Sequence, residues 1–297
     1  MIADVHCHFF SSTFLELLTQ NLAGLPEPGR AAAVAAQLGW ADPGTPAALA
    51  RVWIEELDRH GVSRASLIAS IPGDEPSVAE AVALHPDRFV GFFMLNPVAP
   101  DAAGRLDRAL HELKMRGICL FPAMHRYPVN AETVAWVFQA AQKHRAAVFV
   151  HCGVLTVGIR TKLGLPSAFD LRLGDPLAVA LVASAFPNVP VIIPHFGAGM
   201  FREALMAADQ CATIHLDTSS SNSWMKYYPG LTLEAVFRQA LAVAGPRRIL
   251  FGTDSSFFPR GWQKGICEAQ RAAMAAAGAG EADQQLILGG NFERLFS

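Results

Sequence analysis

The chain has 297 residues, of which 52% are hydrophobic and 17% charged, and its formal net charge at neutral pH is −2. This balance provides no basic surface for a nucleic acid or an anionic membrane. No stretch approaches the roughly 20 apolar residues that a membrane-spanning helix needs. The composition therefore argues against nucleic-acid and membrane partners, and the length suits one large domain.

The cysteines are odd in number and widely spaced, and no Cys-x-x-Cys pair occurs; they are Cys7, Cys119, Cys152, Cys211 and Cys267. Such a pattern favours reduced thiols in a cytoplasmic protein over a disulfide framework. A cleaved secretory signal is not expected, because cleavage would remove the first predicted strand with His6 and His8.

Apolar strand-like runs alternate with helical patterns along the whole chain, as in repeated βα units. The strand cores are continuous rather than alternating, as expected for parallel strands that are covered on both faces. The predicted strands lie near residues 2–8, 65–70, 89–95, 117–122, 147–152, 190–195, 212–218 and 248–253. The predicted helices lie near residues 31–36, 46–60, 75–84, 101–114, 132–143, 176–186, 199–208, 232–244, 262–277 and 281–289.

No linker, repeat or low-complexity tract divides residues 1–297. Eight strands with helices between them close into a barrel more naturally than they form an open sheet, and such a barrel needs roughly 250 residues. We therefore expect one α/β domain, a (β/α)8 TIM barrel. Two connections, residues 9–45 after strand one and 153–175 after strand five, are long enough to suggest binding loops over the active face.

Residues 4–8 read Asp-Val-His-Cys-His, at the end of the first predicted strand. Side chains on a strand alternate between its two faces, so His6 and His8 should share a face and Cys7 should point away. Two histidines on one face can bind one metal ion, although a catalytic zinc usually takes three protein ligands and keeps one position open.

Three later strand ends supply further residues that bind metals or move protons. These are His151 in FVHCG, His195 in IIPHFGAG and Asp254 in LFGTDSS. In a parallel βα barrel the carboxyl ends of all strands open on one face, where the catalytic residues lie. We therefore expect these three residues to lie near His6 and His8.

The ordered set His-x-His, His, His and Asp at successive strand ends resembles the amidohydrolase superfamily. More narrowly it resembles the amidohydrolase-related family, which holds metal-dependent hydrolases and lactonases beside decarboxylases of the aminocarboxymuconate-semialdehyde type. The resemblance spans the chain from residue 2 to the NFERLF segment at 291–296. It implies a homodimer, a feature that composition does not address.

The resemblance implies that His6, His8, His151 and Asp254 bind one divalent metal ion. Zinc is the favoured ion, and manganese, cobalt and iron also suit imidazole and carboxylate ligands. Asp254 and His195 are the predicted catalytic residues, which orient or deprotonate a water molecule. Superfamily members with two metals carry a carboxylated lysine at the end of strand four, and GICLFPAMH has no lysine there.

Several basic and aromatic residues should reach the active face from its loops. Arg126 follows strand four, Arg160 lies after strand five, Arg202 begins the helix after strand six, and Arg260 and Trp262 follow strand eight. Arginine binds carboxylates in a bidentate manner, and tryptophan can cover an apolar ring. These residues predict a small substrate that carries a carboxylate.

The favoured function is a metal-dependent hydrolase, in which a metal-activated water attacks an ester, lactone or amide of a small carboxylic acid. The alternative is a metal-dependent nonoxidative decarboxylase of the aminocarboxymuconate-semialdehyde type. Decarboxylases of the resorcylate type are disfavoured, because their first motif usually reads Glu-x-His. A barrel that has lost activity would show damage among the five positions, and none is damaged.

Overall fold

The eight strands form one parallel sheet in sequence order, and the computed structural model describes every residue from Met1 to Ser297. Neighbouring strands pair with β1 beside β2 and so on to β8, which is the order of a βα barrel. The strands are β1 Ala3–His8, β2 Arg64–Ala69, β3 Phe89–Leu95, β4 Gly117–Leu120, β5 Ala147–Val150, β6 Val191–Ile193, β7 Ile214–Asp217 and β8 Ile249–Leu250.

The sheet closes between its first and last strands through backbone hydrogen bonds. Val5 N donates to Phe251 O at 2.9 Å, and His8 N donates to Ser255 O at 2.7 Å. In the other direction, Asp254 N donates to His6 O at 3.0 Å. The predicted TIM barrel is therefore confirmed, and its closing seam includes three of the predicted metal ligands, His6, His8 and Asp254.

Most of the helices surround the barrel and cover its outer face, and a few short ones lie over its carboxyl end. The helices are α1 Ser12–Thr19, α2 Arg30–Leu38, α3 Pro46–Arg59, α4 Glu75–Leu84, α5 Ala102–Asp107, α6 Pro122–His125, α7 Ala131–His144, α8 Gly158–Lys162, α9 Pro176–Ala183, α10 Phe201–Gln210, α11 Leu233–Ala244, α12 Lys264–Ala276, α13 Glu281–Gln285 and α14 Asn291–Phe296. None of them combines the length and apolar character that a membrane crossing requires. All five cysteines are buried and unpaired.

Side chains alternate between the two faces of each strand, and the buried apolar residues on these faces form two separate clusters. One lies inside the barrel and includes Val5, Phe92 and Phe149, whereas the other lies between the strands and the helices and includes Leu67 and Val150. Both strand faces are buried, and for this reason the strands have continuous apolar runs rather than alternating ones.

Strand β1 contains a bulge directly at the metal motif. Asp4 pairs with Ala65 and Cys7 pairs with Leu67, so β1 has one more residue than β2 between these two pairs. A bulge of this kind redirects side chains, and bulges are frequent beside active sites. Here the bulge leaves Val5 in the inner cluster, while His6 still points into the cavity.

The last five strands are shorter than predicted. Regular pairing in β6 stops at Ile193 and in β8 at Leu250, before the residues that carry chemistry. His195 and Asp254 have φ values of +56° and +60°, a left-handed conformation that does not fit a strand. Non-glycine residues in this conformation are strained, and such strain concentrates at active sites.

Two predicted helices are interrupted by π-helical turns. The predicted helix 101–114 is α5 followed by a π-helical turn at Arg108–Glu112, and the predicted helix 281–289 is α13 followed by one at Leu286–Gly290. In both cases the chain continues as a helix through the π-helical turn. The hydrophobic period alone therefore does not reveal the change in hydrogen bonding.

The two long connections pack against each other over one end of the barrel. Residues 9–45 contain α1 and α2, and residues 153–175 contain α8. Their contact is a small hydrophobic cluster that joins Phe14 of α1, Val34 of α2, and Ile159 and Leu163 of the second connection. We refer to these two connections, residues 9–45 and 153–175, as the roof.

The roof begins at a buried carboxylate. Ser11 caps α1 by accepting a hydrogen bond from Phe14 N, and its hydroxyl donates to Asp74 Oδ1 at 2.7 Å. The other oxygen of Asp74 is buried without a partner. Burial raises the pKa of Asp74 to about 7, so the folded state binds a proton more tightly than the unfolded chain.

A carboxyl with a raised pKa stabilises the fold below its unfolded pKa of 3.8, and this contribution is lost as the pH rises towards 7. We therefore expect Asp74→Asn to gain stability relative to the native chain between about pH 4 and pH 7, by up to ~1.4 kcal/mol per pH unit. Urea unfolding at several pH values measures this. Asp87→Asn, at an exposed position, is the control. A pH-independent difference between Asp74→Asn and the native chain would contradict the prediction.

Gly153, directly after His151 and Cys152, has no room for a side chain. Its φ is +69°, and a Cβ there would overlap the carbonyl oxygens of Gly197 and Ala198. We expect Gly153→Ala to lower the free energy of unfolding by roughly 2 kcal/mol or more, because backbone cannot move aside as a side chain can. Gly158→Ala is the matched control, since a Cβ at Gly158 meets nothing within 4 Å. Equal denaturation midpoints for the two variants would show that this close approach is not limiting.

Candidate metal centre and active site

Three predicted ligands meet at the carboxyl end of the barrel. The Nε2 atoms of His8 and His6 lie 3.0 Å and 3.4 Å from Asp254 Oδ1. One ligand atom from each of the three residues lies within 4.8 Å of the other two. His6 and His8 come from the end of β1 and Asp254 from the segment after β8, so the closing seam of the barrel brings them together.

The second ring nitrogen of His6 is held by a buried carboxylate. His6 Nδ1 lies 2.7 Å from Asp217 Oδ2, on the inner face of β7. Burial alone would lower the pKa of His6, but the carboxylates of Asp217, Asp254 and Asp4 together outweigh it and the pKa is raised. The Asp217 carboxylate accepts the Nδ1 proton, which leaves Nε2 directed at Asp254. Carboxylate–histidine pairs of this kind orient metal-binding imidazoles and increase their basicity.

His8 is fixed by a hydroxyl. Its Nδ1 lies 2.6 Å from Ser70 Oγ, which itself donates to Ile68 O at 3.1 Å. Because the serine proton is used for the carbonyl, Ser70 accepts the Nδ1 proton of His8. The Nε2 lone pair of His8 therefore faces Asp254.

Ser219 fixes His195 in the same way. The Ser219 hydroxyl donates to Asp217 Oδ2 at 2.9 Å and lies 2.8 Å from His195 Nδ1. The carbonyl of Ser219, which can only accept, is 3.3 Å from the same nitrogen. His195 thus carries its proton on Nδ1 and keeps a free Nε2. Burial lowers the pKa of His195, so the ring is neutral at pH 7.

His151 extends the row of imidazoles. Its ring centre lies 5.2 Å from that of His195, which in turn is 5.0 Å from that of His6. The His151 Nδ1 atom is buried and has no hydrogen-bond partner. Burial and, after it, the nearby charges of His195 and His6 hold the pKa of His151 well below its usual range. An uncharged ring suits a ligand, although His151 is not within the compact group of three.

The donor set fits a cation. Burial alone would raise the pKa of Asp254, but the adjacent imidazoles of His8, His6 and His195, in their protonated forms, lower it overall, so the carboxylate is ionised. Two Nε2 atoms then face a carboxylate oxygen, and acceptors at 3.0–3.4 Å repel unless a positive charge lies between them. Imidazole and carboxylate are ligands of zinc and of other first-row metals.

A buried carboxylate behind the site joins both halves of the closing seam. Asp4 Oδ1 accepts hydrogen bonds from His6 N at 2.9 Å and Thr253 N at 3.1 Å, and Oδ2 accepts from Trp262 Nε1 at 2.7 Å. Asp4 itself is fully buried, and burial raises its pKa despite these bonds. By holding the backbone of His6 and of the neighbour of Asp254, Asp4 fixes the spacing between the ligands.

A cavity of about 1060 Å³ opens above the site. Asp254 is the only carboxylate that lines it, whereas five cationic side chains do so: Arg126, Arg160, Lys162, Lys226 and Arg260. Aromatic side chains make up much of the remaining wall: Phe10, Phe14, Trp40, Phe121, Phe169, Trp224, Tyr227 and Phe258. Both parts of the roof contribute, from Phe10 to Trp40 and from Val154 to Phe169.

Three of the five predicted substrate-binding residues line this cavity: Arg126, Arg160 and Arg260. The Arg126 guanidinium donates through Nε and Nη2 to Ala168 O, and that of Arg160 does so to Pro166 O. Each keeps its Nη1 donors free. These bonds fix the two side chains against the second part of the roof.

The prediction for Arg202 and Trp262 differs from the structure. Arg202 is exposed and paired with Glu203 at 2.6 Å, outside the cavity. Trp262 is 3% exposed and lies on the outer side of the barrel against Asp4, because the chain turns back between Phe257 and Gly261. The sequence indicates that Arg202 and Trp262 follow strands whose carboxyl ends form the active face. It does not indicate the direction that the chain takes after those strands.

The sequence analysis did not find Ser70 and Ser219, which set the ring orientations. Their spacing was a usable signal. Ser70 and Ser219 lie two residues after Ile68 and Asp217, which face the barrel interior, and side chains two residues apart along a strand share a face.

The chain matches one family of known proteins. Residues 3–297 match the family model described as amidohydrolase, and the chain therefore belongs to the amidohydrolase family. This is a family of metal-dependent enzymes, and the chain is an enzyme of that family.

Proteins of known structure that share this fold are named for different reactions. A 5-carboxyvanillate decarboxylase from Novosphingobium aromaticivorans, complexed with manganese and 4-hydroxy-3-methoxy-5-nitrobenzoic acid, is similar at a TM-score of 0.66 and 16% identity, over 100% of this chain and 96% of that one. A 4-oxalomesaconate hydratase from Rhodopseudomonas palustris is similar at 0.62 and 18%, over 100% and 95%. A probable 2-pyrone-4,6-dicarboxylic acid hydrolase from Acinetobacter baumannii, with citric acid bound, is similar at 0.60 and 15%, over 99% and 98%. At these identities the likeness shows the fold alone.

We expect Asp217→Asn to weaken metal binding by roughly 10- to 100-fold, because an amide oxygen accepts the His6 hydrogen bond without the negative charge that makes the imidazole more basic. His8→Ala should lose the metal altogether, since it removes a ligand atom. Competition with a chromogenic chelator measures the affinity, and Asp209→Asn on the exposed end of α10 is the control. An Asp217→Asn variant with native metal affinity would mean that the Asp217 contact does not tune the site.

Proposed function

We propose that this protein is a metal-dependent hydrolase that acts on an ester, lactone or amide of a small carboxylic acid. The observation that supports this most directly is the convergence of His6 Nε2 and His8 Nε2 on the Asp254 carboxylate, with both Nδ1 protons already committed to other acceptors.

His6, His8 and Asp254 would hold one divalent ion, and His151 would complete the set. Zinc is the first choice, with manganese, cobalt and iron as alternatives that the same donors accept. When bound, such an ion supplies Lewis acidity towards a carbonyl oxygen and towards water. The end of β4 has no lysine to bridge a second ion, and Phe121 there stacks on His151 with ring centres 5.5 Å apart.

Asp254 and His195 would move the proton. Asp254 is ionised because its pKa is held low, and the ionised carboxylate would accept a proton from an attacking water molecule that a bound metal ion makes more acidic. His195 is neutral with Nε2 free, and it can accept or return a proton at that atom. Their strained backbone conformations hold both side chains at the cavity floor.

The substrate would carry a carboxylate and an apolar, ring-sized body. Five cationic side chains against one carboxylate give the cavity a positive potential, and the aromatic wall favours a flat apolar group. Arg126 is the best placed anchor beside the roof, since Ala168 O already fixes its orientation and its Nη1 donors are free. The carboxylate of Asp170, which pairs with Arg172, also interacts with the charge of Arg126 and offsets part of it.

Nonoxidative decarboxylation is the second candidate. Met94 and Phe121 line the cavity, Phe121 stacks on His151, and an apolar surrounding favours dispersal of the charge of a carboxylate. Decarboxylases are also among the solved structures of the same fold. In that reaction Asp254, after taking up a proton, would deliver it to the carbon that loses carbon dioxide.

The two candidates are separated by assaying the metal-loaded enzyme against a panel of carboxylated lactones and a matched panel of hydroxybenzoates and muconates. Hydrolysis predicts acid release from lactones without carbon dioxide. Asp254→Asn should lower kcat at least ~100-fold, and Arg126→Gln should mainly raise KM, because Arg126 binds the carboxylate rather than the reacting group. Arg202→Gln, on the surface outside the cavity, is the control.

Carbon dioxide release without lactone turnover would replace the first candidate by the second. Turnover of neither panel by enzyme with a full complement of metal would remove both proposed substrate classes. Arg126→Gln with unchanged KM would show that the carboxylate is bound by another cationic side chain.

A further inference from the structure

A second cavity, of about 610 Å³, opens at the opposite end of the barrel. It is bordered by the segments that lead into β6, β7 and β8, at the amino ends of these strands. Its lining includes Pro190, Thr213, His215, Arg247, Arg248 and Arg294, and no aspartate or glutamate lines it.

The three arginines differ in how their donors are used. Arg248 makes four hydrogen bonds to backbone carbonyls, including Ala244 O at 2.9 Å and Val243 O at 3.2 Å, and so closes the C-terminal end of α11. Arg294 uses only Nη2, which donates to Arg247 O at 2.6 Å and lies 3.4 Å from Asn291 Oδ1. The Arg247 side chain makes no hydrogen bond or ion pair within the protein, so its guanidinium and most of that of Arg294 are available.

The positive charges are not compensated. Burial and, after it, the charge of Arg247 lower the pKa of Arg294, which shows that like charges lie close together. No carboxylate of the cavity relieves this repulsion. An anion placed between Arg247 and Arg294 would make charge-assisted hydrogen bonds to guanidinium groups.

His215 gives the cavity an acceptor at its inner end. It is 5% exposed and lies on the barrel-facing side of β7, two residues before Asp217. Its Nδ1 is 2.9 Å from Thr213 O, and since a carbonyl only accepts, Nδ1 carries the proton. Burial lowers the pKa of His215 to about 4, so the ring is neutral and Nε2, which has no partner in the protein, is an acceptor.

We propose that this cavity binds hydrogen phosphate, with its charged oxygens on Arg247 and Arg294 and its O–H group donating to His215 Nε2. A neutral histidine beside two arginines suits an oxyanion that carries one proton, because Nε2 would repel an oxygen without a proton. The site lies at the face away from the proposed active site and does not depend on the activity proposed above.

Isothermal titration of the full-length, metal-loaded protein with phosphate and with sulfate, in mildly alkaline buffer, tests the proposal. The two dianions are similar in shape, but only hydrogen phosphate has an O–H group. We expect phosphate to bind about five- to tenfold more tightly than sulfate, the effect of one buried hydrogen bond. Arg247→Gln combined with Arg294→Gln should weaken both anions at least ~tenfold.

Arg51→Gln, an exposed position on α3 that lines neither cavity, is the control for lost surface charge. His215→Leu should abolish the preference for phosphate while sulfate still binds. Phosphate binding unchanged in the double arginine variant would place the ion elsewhere, for example among the cations of the first cavity, and would overturn the proposal. Equal affinities for phosphate and sulfate in the native protein would also overturn it, and this comparison does not require the buried His215 variant to fold.

Discussion

The closing seam between β1 and β8 is the constraint on which the rest of the site depends. A parallel barrel has to join its last strand to its first, and here that junction also carries three of the proposed ligands. Asp4 holds it from behind by accepting the backbone N–H groups of His6 and Thr253. One buried carboxylate thus ties closure of the fold to the spacing of His6, His8 and Asp254. A buried polar network of this kind stabilises one geometry only while every member remains paired.

Two carboxylates of the site have different tasks. Asp217 lies on the inner face of β7 and accepts protons from His6 and Ser219, so it orients rings without facing the substrate cavity. Asp254 lines the cavity and is the one carboxylate that a substrate would meet. The cations and aromatic rings around Asp254 favour an anionic, partly apolar substrate. Because Asp254 is the one carboxylate in the cavity wall, it repels the carboxylate of such a substrate only weakly.

Much of this architecture is encoded in patterns that the sequence displays. Continuous apolar runs at regular intervals predict the eight strands, and their last residues predict which side chains share one face. The bulge at Val5 and His6 and the left-handed turns at His195 and Asp254 are not predicted, because they depend on hydrogen bonds to distant segments. Trp262 shows the same limit: its place behind Asp4 follows from a local reversal of the chain after β8, which no periodicity records.

The packing of α1 and α2 against α8 has a consequence for how specificity can change in such enzymes. Phe14 and Val34 on one connection contact Ile159 and Leu163 on the other, and both segments contribute to the substrate walls. Grafting only one of them from a relative would leave an unmatched apolar surface, with a cost that grows with the area exposed. Divergence towards new substrates is therefore expected to proceed by paired exchange, with sequence changes in residues 9–45 accompanied by compensating changes in residues 153–175.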